Sequence, residues 1–524
     1  MSMESNSVKS KRLVKNTFFL YIRMFILMGV SLYLSRVVLN ALGVQDFGIY
    51  NVVGGVVALF SILCGSLSAA ISRFIAFELG KNDESRLKEV FSISITVQIV
   101  LSLLVLLLFE TVGIYFLNTK IDIPENRIDV AFWCYQFSVI TFIVNLLSIP
   151  YNACIIAHEH MSAFARISLL EGFGKLFVAW GLLIYGGDRL FLYALMLMLL
   201  ALLIRLIYGI YCKKNFAECK FALSKNYSLL KEIFAFAGWN FIGSATDPLC
   251  IYGRTVLLNM FFGPVLNAAY GIAMQVGVAI SSFSSNFIMA LKPQIIKAYA
   301  EDNKDYFFGL LFWGAKCSFF VLLLFSLPII FNVDFVLKIW LKTYPDYTSI
   351  FVVLTLTNII IDSTSQPLVM AMLATGNIRN YQIVVGGCAL LNVPISYIWL
   401  RCGGSPTCVF LVTIAITQIC FFLRLYMLRG MIGLPVGKFI TNVYVRLALS
   451  TIVTFVVTKK VVLLIQIENE FLNALGISLL SMFWASLVML FVGCSKAERF
   501  IIKQKSWNLL NKLYKKLKAR LNRA

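Results

Sequence analysis

Charge is what this chain lacks most. Only 14% of its 524 residues are charged, against about 25% in a soluble domain, so a water-soluble globular protein is excluded. Acids are scarcer still, 25 against 46 Lys and Arg. There are two histidines, and no G-x-x-x-x-G-K-[ST] phosphate loop that would cradle a nucleotide for hydrolysis. No segment alternates polar and apolar residues over about ten positions, which argues against a membrane barrel. No basic patch interleaved with aromatics accompanies the net charge of +21, so nucleic acid is not an expected partner. Long polar segments are missing too. The longest outer segment, residues 331–347, holds only Asp334 and Asp346 as acids, too few for paired acid–base catalysis.

What remains is apolar. Hydrophobic residues make up 60% of the chain and mean hydropathy is +0.85. Apolar windows fall near residues 16–40, 47–77, 90–117, 128–156, 163–186, 190–212, 232–262, 268–290, 306–331, 347–374, 380–400, 406–428, 439–464 and 472–494. Each is about long enough to cross a bilayer as a helix. The expected fold class is therefore an all-α polytopic membrane protein of about 14 transmembrane helices. Lys and Arg concentrate in the segments on the same side as both termini, which predicts an N-in, C-in topology. The first window is longer than a signal-peptide core and is interrupted by Arg23 and Arg36, so it reads as a span. The tail after residue 494 repeats Trp507, Leu510, Leu513, Leu517 and Leu521 among lysines, the pattern of an amphipathic helix on the inner leaflet.

An internal repeat organises the spans. Shifted by 220 residues, Gly43, Tyr50 and Ala70 fall on Gly263, Tyr270 and Ala290, and with a two-residue gap Arg36 falls on Arg254. A shift of 217 places Ser148, Pro150 and Ala157 on Ser365, Pro367 and Ala374. Six spans separate the equivalents, so the copies are parallel repeats about an axis along the membrane normal. Expected boundaries are an N-terminal lobe at 1–225, a C-terminal lobe at 226–430, two extra spans at 431–494 and a basic cytoplasmic tail at 495–524. Two six-helix lobes suit alternating access.

Cations buried in spans are expensive, about 2.5–3.5 kcal/mol each at the bilayer centre, and so point to function. Arg73, Arg166 and Arg205 lie near inner ends and can snorkel; Arg446, about two turns inside its span, can be read either way. Arg23, Arg36, Lys175, Arg254 and Lys316 are the candidate substrate-binding residues. Asn240, Asp247 and Arg254 recur every seven residues on one face of the seventh span, where Pro248 removes a backbone hydrogen bond. Glu171 and Lys175 stand at i and i+4 and are expected to pair. Glu171, Asp247 and Asp362, the deep acids, are candidates for ion coupling. Cations outnumber them, and arginine forks match phosphate oxygens, so an anionic substrate carrying phosphate or carboxylate is expected. His158 and His160 lack further ligands at zinc spacing, so no metal site and no cofactor is expected. The twelve cysteines sit mostly in apolar spans as small hydrophobes, and Cys402 and Cys408 flank an outer loop where a disulfide is open.

Residues 16–23 (NTFFLYIR), 35–51 (SRVVLNALGVQDFGIYN) and 67–80 (LSAAISRFIAFELG), with the Pro-x7-small-Gly-Asn pattern at 367–377, resemble the bacterial O-antigen and capsule lipid-linked oligosaccharide flippases. These belong to the multidrug/oligosaccharidyl-lipid/polysaccharide exporter superfamily. The resemblance implies two six-helix lobes plus two helices and a cationic cavity for an undecaprenyl-pyrophosphate sugar, with Arg23 and Arg36 at the positions of the family's first-span arginines. It further implies transport rather than catalysis, an inner-membrane location, and polysaccharide polymerase and glycosyltransferase partners beside the lipid bilayer itself. One departure stands out: Pro293 occupies the place in the second repeat that Arg73 holds in the first. Competing readings are a drug or metabolite exporter of the same layout and a membrane-embedded polysaccharide polymerase or glycosyltransferase.

Overall fold

The computed structural model describes residues 6–58, 61–115, 124–219, 226–464, 468–495 and 498–499. Among them there is no strand. Backbone N–H and C=O groups find no partner in hydrocarbon, so an apolar run satisfies them internally by coiling into a helix. Among the described residues, twelve helices are long and apolar enough to cross a membrane. The first five of these are Arg12–Ser31, Glu84–Gly113, Glu125–Ala157, Met161–Ile184 and Arg189–Asn215. Val265–Ala300, Lys304–Phe331, Thr348–Thr375, Arg379–Arg401, Cys408–Ile432, Val436–Lys460 and Glu470–Gly493 complete the set. The two other expected crossings, the second and the seventh, are helical as well, over Ser61–Lys81 and Tyr227–Phe262. Asn240, Asp247 and Pro248 dilute the seventh.

Punctuation follows the chemistry of the joins. Gly43 adopts φ 76° and breaks the long first helix, Asn6–Ala58, into two, a conformation that glycine reaches without a Cβ penalty. Gly263 does the same between the seventh and eighth spans at φ 79°. Pro150, Pro248, Pro293 and Pro328 all lie inside helices, so Pro248 is carried within a continuous Tyr227–Phe262 helix. Hydroxyls in apolar surroundings bond back along their own helices, as Ser94 Oγ to Val90 O and Ser148 Oγ to Val144 O, both at 2.7 Å.

The chain divides into two compact units. The first holds residues 1–251 with 285–307 and 369–390. Its core packs Phe109 edge-on against Tyr135 and Phe142, with the Tyr135 hydroxyl donating to Phe109 O at 2.8 Å. Contacts between its loops establish that successive helices alternate in direction. On one face Arg127, before the fourth span, bonds both Asp46, before the second, and Asp188, before the sixth, while Arg189 Nη1 reaches Ala41 O at 3.0 Å. On the opposite face the His158 ring, after the fourth span, stacks on Phe216, after the sixth, at 4.1 Å and bonds Glu218.

The second unit holds residues 252–284, 308–368 and 391–524. The ring of Phe410 lies 4.6 Å from that of Phe351 and 5.8 Å from that of Tyr270. Spans thirteen and fourteen pack within this unit. Phe421 stacks on Tyr444 at 5.1 Å, and Asn332 Nδ2 donates to Ser478 Oγ at 3.3 Å. The expected amphipathic tail lies outside the described residues, apart from Ser495, Glu498 and Arg499.

Candidate functional site

In the first unit, close helix approach assembles a charged group. Gly172 on the fifth span lets Leu27 of the first come so near that a Cβ would stand 2.4 Å from Leu27 Cδ2. This brings the half-buried Arg23 to the fifth span, its guanidinium 4.8 Å from the centre of the Phe164 ring. Glu171 and Tyr208 act on that guanidinium electrostatically. The expected Glu171–Lys175 pair is present at 2.7 Å, with both side chains about two-fifths exposed. Glu171 is therefore shared between Lys175, which it bonds, and the field at Arg23. The Arg23 Nε–H is buried with no hydrogen-bond partner. A charged donor left so is costly, and an anionic acceptor would relieve it. The side chain of Arg36 lies outside the described residues.

The seventh span distributes its three polar landmarks. Asn240 is buried and donates to Ser66 O at 3.2 Å. Asp247 is exposed. Arg254, in the second unit, donates through Nη1 to Thr413 Oγ1 at 2.7 Å, and the same hydroxyl accepts from Asn392 Nδ2 at 3.0 Å. Gly253 permits that approach, since a Cβ there would lie 2.6 Å from Val393 Cγ2.

Two further candidates meet partners that local spacing could not reveal. Lys316 is buried and its ammonium bonds both carboxylate oxygens of Glu498, at 2.8 and 3.0 Å. Burial raises the Glu498 carboxyl, but hydrogen bonds from Lys316 and from the Ser495 amide outweigh it and hold the group below the usual range. Lys316 thus has its counter-charge within the protein. Asp362 accepts from Gln366 Nε2 at 3.2 Å and stands 3.7 Å from Arg424 Nη1. Arg424, toward the C-terminal end of its span, carries no such signal in the sequence. Beside these elements the second unit holds an apolar cavity of about 590 Å³, walled by Leu323, Val353, Ile360, Leu447 and Phe455, with Gln418 and Tyr444 supplying polar edges. None of the twelve cysteines is joined in a disulfide, Cys402 and Cys408 included. No group of three or more metal-ligating side chains converges among the described residues.

The family model for polysaccharide biosynthesis proteins matches residues 13–298, more than half of the chain. The chain belongs to the polysaccharide biosynthesis protein family. In fold, this family member is similar to a MATE transporter crystallised with MaL6, at TM-score 0.66 and 14% identity, covering 81% of this chain and 97% of that one. An outward-facing multidrug resistance MATE transporter of the MOP superfamily gives TM-score 0.67 at 13% identity, over 84% of this chain and 99% of that one. A MOP superfamily transporter from Pyrococcus furiosus gives 0.67 at 14%, over 84% and 99%. Identities this low establish the fold, and the fold is that of the MATE transporters. No curated protein matches by sequence. The family and the fold agree with the resemblance carried by residues 16–80.

Proposed function

We propose that this multi-pass membrane protein is a flippase that carries a polyprenyl-pyrophosphate-linked oligosaccharide from the cytoplasmic to the outer leaflet of the bacterial inner membrane, for O-antigen or capsule synthesis, with both termini cytoplasmic. The observation that carries the proposal is the unsatisfied, buried Nε–H of Arg23 in a member of a polysaccharide biosynthesis family. Most of the described residues lie in helices of membrane-spanning length, so its biosynthetic step belongs to the bilayer. A pyrophosphate entering the membrane loses its hydration at a cost of many kcal/mol, and the guanidinium fork of Arg23, in the first unit, is assigned to replace it; Arg254, in the second unit, is a phosphate-binding candidate in its own right. Arg36 is assigned the same role as Arg23. Lys175 contributes in concert with Glu171, while Lys316 remains held by Glu498. Glu171, Asp247 and Asp362 stay the candidates for ion coupling. The apolar cavity of the second unit suits a hydrocarbon chain. An inside-negative potential favours outward movement of the anion by about 2.3 kcal/mol per charge per 100 mV.

Transfer of defined lipid-linked glycans between the leaflets of proteoliposomes tests this directly. The wild type is expected to equilibrate the glycan, and Arg23→Ala to abolish transfer with Arg23→Lys restoring only part of it. Wild-type vesicles that move no lipid-linked glycan, or an Arg23→Ala variant that moves it at the wild-type rate, would overturn the reading.

A further inference from the structure

On the face of the first unit where His158 meets Glu218, residues distant in the chain are joined at three points. Glu159, in the turn after the fourth span, is buried, and its two carboxylate oxygens accept separately from Lys297 Nζ at 3.0 Å and Gln294 Nε2 at 3.1 Å on the eighth span. It does so from φ 62°, a left-handed conformation that costs a side-chain-bearing residue about 1–2 kcal/mol. That strain persists where surrounding contacts impose it. Arg73, near the end of the second span, is buried against the rings of Phe74, Phe77 and Phe236 at 4.6, 4.7 and 5.7 Å. Its Nη2 donates to Ala374 O at 3.2 Å. Gly376, at φ 80°, makes room for this, since a Cβ would stand 2.4 Å from Nη2. Finally, Gly80 and Ala300 meet so closely that a Cβ on Gly80 would lie 2.8 Å from that of Ala300.

Each junction links a helix end from the first sequence repeat to one from the second, and these contacts gather 285–307 and 369–390 into the first compact unit. An ion pair, a capped helix-end carbonyl and a glycine-to-alanine approach are discrete contacts that can be broken and remade together, unlike a continuous apolar interface. We infer that Glu159–Lys297 and Arg73–Ala374 form a latch that holds this face shut and has to open for a headgroup to enter from the cytoplasm. Glu159 is its positioning residue. The inference rests on the transport reading above for its purpose, and on the geometry alone for its existence.

Two measurements separate those grounds. Amide hydrogen exchange reads the latch without any substrate. Glu159→Lys, which sets like charges together, is expected to raise exchange by about tenfold in peptides covering 155–163 and 294–303, a shift of about 1.4 kcal/mol. The exchanged pair Glu159→Lys/Lys297→Glu is expected to return it towards the wild-type rate. Unchanged exchange in Glu159→Lys, or no recovery in the pair, overturns the latch. For its purpose, Glu159→Cys/Lys297→Cys is bridged by a short bifunctional methanethiosulfonate in proteoliposomes, with reagent-treated wild type as control. Bridging is expected to stop glycan transfer and reduction to restore it. Bridged protein that transfers as fast as unbridged protein overturns the gating role. An exchange pattern as expected in a wild type that moves no glycan leaves the latch standing and removes the transport reading instead.

Discussion

The ammonium of Lys316, midway along the ninth span, stands 2.8 and 3.0 Å from the two oxygens of Glu498, which lies beyond the end of the fourteenth. Glu498 is placed by a reciprocal pair of hydrogen bonds. Its Oε2 accepts from Ser495 N at 2.6 Å, and Ser495 Oγ accepts from its backbone N–H at 3.3 Å. This is the capping-box arrangement that starts a helix, and it ties the beginning of the basic tail to a buried cation. Glu498→Ala strands that cation, which is expected to cost about 3–5 kcal/mol. The pair Lys316→Met/Glu498→Gln removes both charges and is expected to recover most of the loss. Thermal unfolding in detergent checks both, and a Glu498→Ala melting temperature equal to wild type would refute the tie.

The same pair sets a pH dependence. The folded Glu498 carboxyl lies below the usual carboxylate range because hydrogen bonds from Lys316 and Ser495 outweigh burial. A depressed acid contributes stability that is complete above its unfolded value, about 4.3, and is lost as pH falls through the folded value. The stability gap between wild type and Glu498→Gln is therefore expected to stay constant from pH 7 down to about pH 4.5 and to close below that. A gap that closes between pH 5 and 7 would place the titration elsewhere.

Arg127 holds two carboxylates, Asp46 and Asp188, from two other loops on one face. Burial raises the Asp46 carboxyl and the arginine lowers it, with burial the larger effect. Arg127→Met leaves Asp46 buried without its counter-charge and is expected to cost about 3–5 kcal/mol at neutral pH. Asp46→Asn in that background is expected to return part of it. A double-mutant cycle on thermal unfolding measures the coupling, and additivity of the two changes would show that the contact carries no energy.

The helices and their alternation were legible because lipid enforces both. Apolar runs must coil, and each crossing returns the chain to the other face. The Glu171–Lys175 pair was legible because four residues is one helical turn. Asn240 shares a helix face with Asp247 and Arg254 by spacing, yet its amide is spent on Ser66 O, since helical phase gives a direction and not a partner. The Glu498 partner of Lys316 was not legible because it lies 182 residues away, in a segment that reads as a basic amphipathic tail. Arg424 beside Asp362 was hidden in the same way. The glycines that set helix distances, Gly172 and Gly253, carry no signal of their own in so apolar a chain, where every small residue is a candidate for close packing.

Gly172 tests whether that distance matters. A Cβ there would meet only Leu27 Cδ2, the far end of a flexible side chain, closely, so Gly172→Ala is expected to be absorbed by rotation of Leu27. Gly172→Val adds branches that rotation cannot accommodate, and overpacking of this kind costs about 1–3 kcal/mol. The first span should then move away from the fifth, drawing the Arg23 guanidinium off the Phe164 ring and out of the field of Glu171. Glycan transfer is accordingly expected to fall in Gly172→Val as it does in Arg23→Ala. Leu27→Ala in the valine background empties the space and is expected to restore both the melting temperature and the transfer rate. Recovery of stability without recovery of transfer would separate packing from function at this contact and weigh against a role for Arg23 set by helix spacing.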